Sequence, residues 1–366
     1  MKLDPYKDAN EKLLAVNPIK YQATRNYIGG STRLSVYITR GVLTLPQIKD
    51  YLLKNYSKTE SYKLINELAW REYMQREWQI RGNAIFEDIK RKQESVESSN
   101  LPLNVINAQT GIEALDNGIK QLYETGYIDN HMRMWLAGLI CNIAHTKWQQ
   151  PAAWMYYQLL DGDPASNFLS WQWVAGTFSS KRYLPSQENI NKYTKTNQNN
   201  TFLDLNYEEL AVIDTPLILK ERISENLNWV APKSSDLIID KSKPTVLYHS
   251  FWLNKDWRNE ISANRILVLE PSWFEKFPVS QKVTNSILEI AGEIEGLQIY
   301  VGNIDELLPH LGKEIYYMSH PSVPHWNGKA DQMPLLFPEV QLKSYDSFSA
   351  FWKQCQKFFI GTNILH

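Results

Sequence analysis

The sequence predicts a mainly α-helical protein, in which a helical domain (residues 1–240) is followed by a smaller α/β domain (residues 245–366). Apolar residues recur at helical spacing through the first half, whereas short apolar runs alternate with helical patterns from Thr245 onward. The polar segment Lys241–Pro244 separates the two patterns and has the composition of a linker. Because strands that alternate with helices build parallel sheets, we expect a small Rossmann-like parallel sheet in the second domain.

Composition narrows the class of protein. The chain has 366 residues, of which 43% are hydrophobic and 22% charged, as is ordinary for a globular protein of this size. Its formal charge of −1 excludes a uniformly basic nucleic-acid coat but allows a local basic groove. Cys141 and Cys355 are too few for a disulfide scaffold. The N-terminal segment has no apolar signal core, and the sequence has no apolar run of about 18 residues. We therefore expect a cytoplasmic protein with no membrane contact.

Apolar spacing and breaking residues place the elements of the helical domain. Helical patterns run through Leu64–Leu68, Ile112–Leu122 and Met134–Ile143. Gly126 ends the second pattern, Asp129 or Asn130 is expected to cap the third, and Pro151 marks a break before a helix that leads to Leu160. A loop is predicted at Asn191–Asn200, and short helices are predicted between residues 201 and 240.

Four apolar runs predict the strands of the α/β domain, at Val246–His249, Ile266–Leu269, Leu297–Val301 and Ile315–Met318. Helices are predicted at Val283–Ile294 and Phe348–Phe359. The domain has neither a Gly-x-Gly-x-x-Gly motif nor a P-loop, so nucleotide binding is not indicated there. His320 and His325 are predicted to lie in a surface loop without a metal ion, because no third ligand is spaced with them.

The segment Asp161–Trp173 carries the most chemistry. It combines two carboxylates, one amide and two indoles between predicted helices, at Asp161, Asp163, Asn167, Trp171 and Trp173. Such a set suits a ring-shaped, partly polar cofactor, and the alternative is a metal-binding Asp-x-Asp turn beside core tryptophans. The segment resembles the flavin-binding helical domain of the photolyase and cryptochrome family, where an Asp-Gly-Asp, an Asn and a Trp-x-Trp line the isoalloxazine site.

The resemblance covers about residues 20–190 and implies FAD as the cofactor. It also implies light-dependent repair of cyclobutane pyrimidine dimers, in which excited, reduced FAD gives one electron to the lesion. The partner is then UV-damaged DNA, single- or double-stranded. Two alternatives stay open: a cryptochrome-like blue-light photoreceptor with the same flavin pocket, and a helical scaffold or DNA-binding protein that has lost its cofactor.

The first further segment with this resemblance begins at Tyr21. The resemblance implies that the FAD diphosphate and ribityl chain are held by Tyr21, Ser31, Thr32, Arg33, Leu34 and Ser35. It also implies that Arg25 contacts a DNA phosphate. The alternative is an ordinary helix cap with surface charge.

The second segment places Glu67, Trp70 and Arg71 on one helical face, since residues three and four apart are neighbours. By resemblance, Glu67 hydrogen-bonds the pyrimidine pair, Trp70 stacks on it, and Arg71 lies at the flavin and DNA edge. The alternative is an amphipathic helix with a surface ion pair.

The third segment is Asn130–Met134. By resemblance, Asn130 and Met134 line the lesion pocket, as in members of the cyclobutane-dimer type; members that act on the (6-4) photoproduct carry histidines at both positions. Arg133 is implied to pair with Asp161. His131 stands where many members have an arginine that contacts DNA, so it is either a DNA-binding residue or a solvent-facing one.

Within the central segment, Asp161, Gly162 and Asp163 are implied to approach the flavin ring, adenine and ribityl chain, and Asn167 to face flavin N5. The implied electron-transfer residues are Trp171 and Trp148, and Trp173 is the second wall of the lesion pocket, opposite Trp70. The outermost electron-transfer tryptophan of the family has no counterpart in the region near Val96, so either Trp154 or Tyr157 replaces it or photoreduction is slow.

The α/β domain differs in position from that of the family, whose antenna domain normally precedes the helical domain. Leu267–Pro278 resembles a segment in the α/β domain of photolyase-related bacterial proteins. Two interpretations follow: a permuted antenna-like module, or a docking domain that covers the helical core. The antenna chromophore is unknown. Cys141 is expected to be an inert core thiol.

Overall fold

The computed structural model describes residues 4–359, so the outer ends of both predicted domains lie outside the described residues. Helices predominate, as the sequence predicts. In chain order they are α1 (Pro5–Leu14), α2 (Pro18–Thr24), α3 (Ser35–Thr39), α4 (Leu45–Asn55), α5 (Lys58–Arg81), α6 (Leu103–Ile106), α7 (Glu113–Thr125), α8 (Asn130–Gly138), α9 (Gln149–Gln158), α10 (Pro164–Ala175), α11 (Gln187–Thr194), α12 (Tyr207–Leu210), α13 (Pro271–Lys276), α14 (Gln281–Ala291), α15 (Ile304–Leu307) and α16 (Phe348–Phe359). The strands are β1 (Leu101–Pro102), β2 (Arg222–Ile223), β3 (Thr245–Tyr248), β4 (Asn264–Leu269), β5 (Leu297–Val301), β6 (Ile315–Met318) and β7 (Lys329–Asp331).

The chain divides into two compact units. Within residues 4–359, the sheet unit comprises residues 4–19, 32–80 and 228–359, and the cavity unit comprises residues 20–31 and 81–227. The predicted division at residues 240–245 follows the change in composition, whereas the compact units group residues 32–80 with the C-terminal part of the chain. Among residues 4–359, no helix has both the length and the hydropathy to cross a membrane.

A parallel sheet with the strand order β5-β4-β3-β6-β7 lies in the sheet unit. Its strands β3 and β4 are mostly apolar and almost wholly buried, which is typical of a parallel sheet covered on both faces. The four predicted strands and the helices α14 and α16 are confirmed. The sequence does not predict β7, because its Lys-Ala-Asp segment is short and polar.

A buried ion pair joins α5 to residues 336–340 within the sheet unit. Arg76 Nη2 lies 3.0 Å from Glu72 Oε1, and Arg76 donates to the carbonyls of Phe337 and Val340, each at 2.8 Å. Glu72 accepts hydrogen bonds from the backbone N–H groups of Leu336 and Phe337. Burial raises the pKa of Glu72, and the Arg76 guanidinium opposes the rise. Because both charges are paired and hydrogen-bonded, the unit tolerates their burial.

Helix boundaries in the cavity unit largely follow the predicted signals. Gly126 ends α7 in the left-handed conformation, with φ 69°. Pro151 lies in the first turn of α9, where the missing N–H costs little. Asp129 is the N-cap residue of α8, but its carboxylate accepts a hydrogen bond from the backbone N–H of Gly29 at 2.8 Å and not from the helix.

One loop prediction is wrong in part. Asn191–Thr194 was expected in a loop but forms the end of α11. The helix begins at a capping serine, Ser186, whose hydroxyl accepts a hydrogen bond from the Asn189 amide, and it buries Ile190. A cap and one core contact therefore outweigh the polar, turn-rich composition.

Candidate functional site

A cavity of about 100 Å³ opens between α8, α9 and α10 of the cavity unit. Its lining includes eight residues that the sequence singles out: Asn130, Arg133, Met134, Asp161, Gly162, Asp163, Asn167 and Trp171. Six others also line it: Ala137, Met155, Leu159, Ser166, Ser170 and Val174. The structure thus brings together residues from two of the four predicted segments.

The expected ion pair between Arg133 and Asp161 forms at the cavity wall. Arg133 Nη2 lies 3.0 and 2.9 Å from the two carboxylate oxygens of Asp161, and Arg133 Nε donates to the Ile128 carbonyl at 2.9 Å. Burial works to lower the pKa of Arg133, but the Asp161 carboxylate, Tyr127 and Asp129 together outweigh it and the pKa is raised. The pair therefore keeps its charges and fixes Asp161 at the cavity.

The turn before α10 is held rigidly. Asp163 is the N-cap of α10 and accepts a hydrogen bond from the backbone N–H of Ser166 at 2.6 Å, and Pro164 opens the helix. At Gly162 a Cβ would lie 2.9 Å from the Leu159 carbonyl oxygen, so a side chain there would force the turn to move. Close packing thus explains the glycine between the two aspartates.

Asn167 has one end of its amide anchored. Its Nδ2 donates to the Ala152 carbonyl at 2.9 Å, and the side chain lines the cavity. This bond leaves Oδ1 as a hydrogen-bond acceptor at the cavity wall. A donor on a bound ring could therefore be recognised there.

Ser166 is a cavity residue that the sequence analysis missed. Its Oγ is buried, and within residues 4–359 it has no hydrogen-bond partner. Because buried polar atoms are rarely left unpaired, this hydroxyl suits a polar atom of a ligand. Helical spacing could have found it, since Ser166 stands three residues after Asp163 and four before Ser170.

The tryptophans of the central segment have different surroundings. Trp171 is buried and lines the cavity. Trp148 is fully buried, packs edge-on to Phe168 with ring centroids 6.2 Å apart, and donates from Nε1 to Asp88 Oδ1 at 2.7 Å. Trp173 is 36% exposed and lies beside Tyr183. Trp171 and Trp173 therefore serve different faces of α10.

The first predicted segment is split between the units. In the cavity unit, Tyr21 belongs to α2, Arg25 follows that helix, and the Ser31 hydroxyl is 2.8 Å from the Tyr127 hydroxyl. In the sheet unit, Leu34 is buried, Arg33 is exposed with φ 59°, and the rest of the predicted flavin segment, Thr32 and Ser35, is half-buried.

The second predicted segment lies on α5 of the sheet unit. Trp70 stacks on Phe348 of α16, with ring centroids 3.7 Å apart and an interplanar angle of 14°. Glu67 pairs with Lys63 at 2.8 Å, and Arg71 donates to the Thr39 hydroxyl at 2.8 Å. Phe348 thus covers one face of Trp70, which the sequence does not reveal because the two residues are far apart in the chain.

His131 is held within the cavity unit. Its ring stacks on Trp135 at 4.7 Å and 11°, and Nδ1 lies 2.8 Å from the Asn26 carbonyl oxygen. Burial lowers the pKa of His131, partly offset by that hydrogen bond. The side chain is therefore mainly neutral at pH 7 and differs in charge from an arginine at this place.

The prediction that His320 lies in a surface loop is wrong, because its side chain is buried. His320 is 6% exposed and stacks on Phe251 at 4.7 Å, because the loop folds back on the carboxyl end of the sheet. His325 is partly exposed, and its Nε2 lies 3.0 Å from the Glu270 carboxylate. Within the described part of the chain, no three His, Cys, Asp or Glu side chains are grouped to hold a metal ion. Cys141 is buried, and burial raises the pKa of its thiol.

The cavity suits one end of a larger ligand. Its polar groups include a carboxylate paired with a guanidinium, two amides and an unpaired hydroxyl, and its apolar wall includes Met155, Leu159 and Val174. This donor set fits a ring that is polar on one edge and apolar on its faces, as an isoalloxazine is. Ligand sites commonly enclose about 300–1,000 Å³, so a whole dinucleotide needs surface beyond this cavity.

Comparisons with known proteins agree with this chemistry. A family model described as the FAD binding domain of DNA photolyase matches residues 64–242. The chain is 31% identical over 156 residues to the deoxyribodipyrimidine photo-lyase of Buchnera aphidicola subsp. Baizongia pistaciae, covering 40% of this chain and 33% of that protein. It is 25% identical over 186 residues to the cryptochrome DASH of Natronomonas pharaonis, covering 48% of this chain and 39% of that protein.

One solved structure that matches part of this chain is the Synechocystis sp. cryptochrome, at 23% identity and a TM-score of 0.47, covering 51% of this chain and 43% of that chain. The chain spans a third to two fifths of the length of the two curated relatives. Both photolyases and cryptochromes occur among the relatives, so the activity of the whole protein has to be argued from its own residues.

Proposed function

Since this chain carries an FAD-binding domain of the photolyase and cryptochrome family, as its sequence predicts, we propose that it repairs cyclobutane pyrimidine dimers in DNA with light and reduced FAD. One observation carries the proposal. A single cavity is lined by the implied flavin residues Asp161 and Asn167 and by the implied lesion residues Asn130 and Met134. Such closeness suits repair, because donor and acceptor have to be held together for a direct electron transfer.

Within this proposal, the protein binds and orients the cofactor, and bound FAD supplies the light-driven electron. Asn167 Oδ1 would accept a hydrogen bond from N5–H of the reduced flavin, since its Nδ2 is already committed to Ala152. The Arg133–Asp161 pair would hold the polar edge of the ring, and Ser166 Oγ would gain a partner.

The lesion has to leave the DNA stack to reach the cavity, and the damage itself lowers the cost of unstacking. Asn130 and Met134 offer it a wall that is polar and apolar at once, with Nδ2 and Sδ 3.5 Å apart. The exposed ring of Trp173 gives an aromatic face for an extruded base, and stacking of this kind is worth about 1–3 kcal/mol per base.

The predicted lesion contacts of α5 stay predictions. Trp70 has one ring face covered by Phe348, so it would offer its other face to a base. Glu67 is engaged by Lys63, and that ion pair has to open or be shared if Glu67 is to bond a pyrimidine pair. We also keep Arg25 as the proposed DNA phosphate contact and the cytoplasm as the proposed compartment.

A blue-light photoreceptor of the cryptochrome kind is the second candidate. Two observations favour it: His131 is mainly neutral where a DNA-contacting arginine is common in the family, and Phe348 covers one face of Trp70. This candidate needs the same flavin site but no lesion site. The two functions therefore differ in what Asn130 does.

A repair assay separates them. The purified protein, reduced and under blue light, should restore thymine dimers in single- or double-stranded oligonucleotides. Asn130→Ala should lower the repair rate about tenfold, the size expected for a lost polar contact of about 1.4 kcal/mol, while flavin absorbance stays at the wild-type level. Asp161→Ala should lose the flavin, because it removes the partner of Arg133.

Asn117→Ala is the matched control, since Asn117 is an exposed asparagine on α7; it should leave both readouts unchanged. Full flavin loading with no repair of single- or double-stranded substrate contradicts the repair proposal. The photoreceptor function then remains as the candidate. A preparation without flavin rejects both functions and points to a scaffold that has lost its cofactor.

The α/β part of the chain keeps its two interpretations as predictions. An antenna-like module would hold a second chromophore, and a docking domain would not. Absorbance beyond the flavin bands in the purified protein distinguishes them.

A further inference from the structure

Trp148 is a buried indole whose N–H group is bound to a carboxylate. The side chain is fully buried, and Nε1 donates to Asp88 Oδ1 at 2.7 Å, a short distance for a bond of this kind. Asp88 itself is only half-buried. The carboxylate therefore connects a buried ring to the surface of the cavity unit.

The carboxylate is held in place by the segment that follows it. Asp88 Oδ2 accepts a hydrogen bond from the Gln93 backbone N–H at 3.2 Å. Gln93 Oε1 accepts from the Trp148 backbone N–H at 3.0 Å, and Gln93 Nε2 donates to the Thr146 carbonyl at 2.8 Å. Residues 88–93 and 146–148 thus form one hydrogen-bonded network around the indole.

We propose that Asp88 is the proton acceptor for oxidised Trp148 and that Trp148 is the terminal electron donor of this chain. The inference rests on the proposed flavin site. When oxidised flavin is excited by light, Trp148 gives up one electron, which passes by way of Trp171 to the flavin. The Trp148 indole N–H proton moves to Asp88 Oδ1, so Trp148 becomes a neutral radical and Asp88 a neutral carboxylic acid.

Electrostatics favours this proton transfer. Loss of an electron places a positive charge on the indole, and a positive charge favours release of the ring proton to an adjacent carboxylate. The ring is shielded from water, so a bound base is needed to take the proton. Once the proton has moved, return of the electron requires the proton to return as well, and the charge separation lasts longer.

Val96 and Trp154 differ from Trp148 in what surrounds them. Val96, in the region where the resemblance implies an outer tryptophan, is aliphatic and exposed. Trp154, a candidate replacement, donates from Nε1 to the Tyr123 hydroxyl at 3.2 Å, which is a neutral acceptor. In this proposal, the carboxylate beside Trp148 takes the place of a further aromatic donor.

The hydrogen bond can be tested without flavin. In ¹⁵N-labelled flavin-free protein, the indole resonance that disappears in Trp148→Phe identifies Trp148. Asp88→Asn should shift this resonance and speed its exchange with solvent deuterium at least about tenfold, because a neutral amide binds the N–H less strongly than a carboxylate does. Glu87→Gln, which alters an exposed neighbouring carboxylate, should leave the resonance unchanged.

Proton transfer is tested by transient absorption of the flavin-loaded protein. Wild type should form the neutral tryptophan radical with a rate that slows in D₂O. Asp88→Asn should slow its formation at least about tenfold and shorten the charge separation, whereas Glu87→Gln and Trp154→Phe should match wild type. Trp148→Phe should abolish the long-lived radical. Deprotonation at the wild-type rate in Asp88→Asn, or an unchanged indole resonance, overturns the proposal.

These results are separable from those of the repair proposal. Repair starts from reduced flavin and does not need Trp148, so Asp88→Asn should repair dimers at the wild-type rate once chemically reduced. Absence of repair in all variants would reject the proposed function and leave the proton-transfer result standing.

Discussion

His249 is buried in the sheet unit as a neutral side chain, and we predict that this makes the unit less stable below pH 6.5. Its Nε2 donates to the Met318 carbonyl at 3.1 Å, and its Nδ1 accepts from the Phe251 backbone N–H at 3.2 Å. A proton added to Nδ1 would face that N–H donor. The ring lies 5.2 Å from the ring of His320, whose pKa is also lowered by burial.

The magnitude follows from the pKa of His249, which burial lowers from 6.5 to about 4. The unfolded chain takes up a proton as the pH falls through 6.5, whereas the folded chain does so only near pH 4. Stability from this residue is therefore complete above pH 6.5 and is lost as the pH falls. At about 1.4 kcal/mol per pH unit, the loss reaches about 2 kcal/mol at pH 5 and about 3 kcal/mol at pH 4.

Urea unfolding of the flavin-free protein, followed by tryptophan fluorescence between about pH 7 and pH 5, measures this loss. His249→Gln keeps an amide donor for Met318 and cannot titrate. Its free energy of unfolding should therefore fall less steeply with pH than that of the wild type, the difference in slope being about 1.4 kcal/mol per pH unit. His310→Gln changes an exposed histidine and should keep the wild-type slope. Equal slopes for wild type and His249→Gln would refute the reasoning.

The remaining predictions concern stability. Asp163→Ala removes the N-cap of α10 and should lower the free energy of unfolding by about 1 kcal/mol. Asp163→Asn keeps a capping oxygen and should cost less. A loss for Asp163→Ala smaller than the error of urea titration would contradict the stabilising role of the cap. Glu72→Leu leaves the Arg76 guanidinium buried without its carboxylate and should cost about 3–5 kcal/mol. Glu72→Gln, which keeps an acceptor for the Phe337 amide, should cost less, and equal losses for the two variants would show that the acceptor does not matter.

The elements that periodicity predicts well are the long or strongly apolar ones. β3 and β4 each contain a short apolar run, and the C-terminal helix α16 carries a clear amphipathic pattern, so each is found where it is expected. β7 could not be predicted, because its short Lys-Ala-Asp segment pairs with β6 only in the folded sheet. The end of α11 was missed because its cap and its one buried isoleucine are weak signals against a polar background.

In the candidate site, residues that share one helix face could be predicted from their spacing, whereas contacts between distant segments could not. Asn130 and Met134, four residues apart, were expected on one face and share the cavity. The stacking of Phe348 on Trp70 and the hydrogen bond from Trp148 to Asp88 join residues far apart in the chain, so no sequence pattern indicates them. Those long-range contacts decide which side chains remain available to a ligand.

The most direct test of the account is a crystal structure of the flavin-loaded protein. The account predicts the isoalloxazine ring in the cavity of α8, α9 and α10, with N5 facing Asn167 and a ligand atom bonded to Ser166 Oγ. A flavin bound elsewhere, with this cavity filled by water or closed, would contradict it.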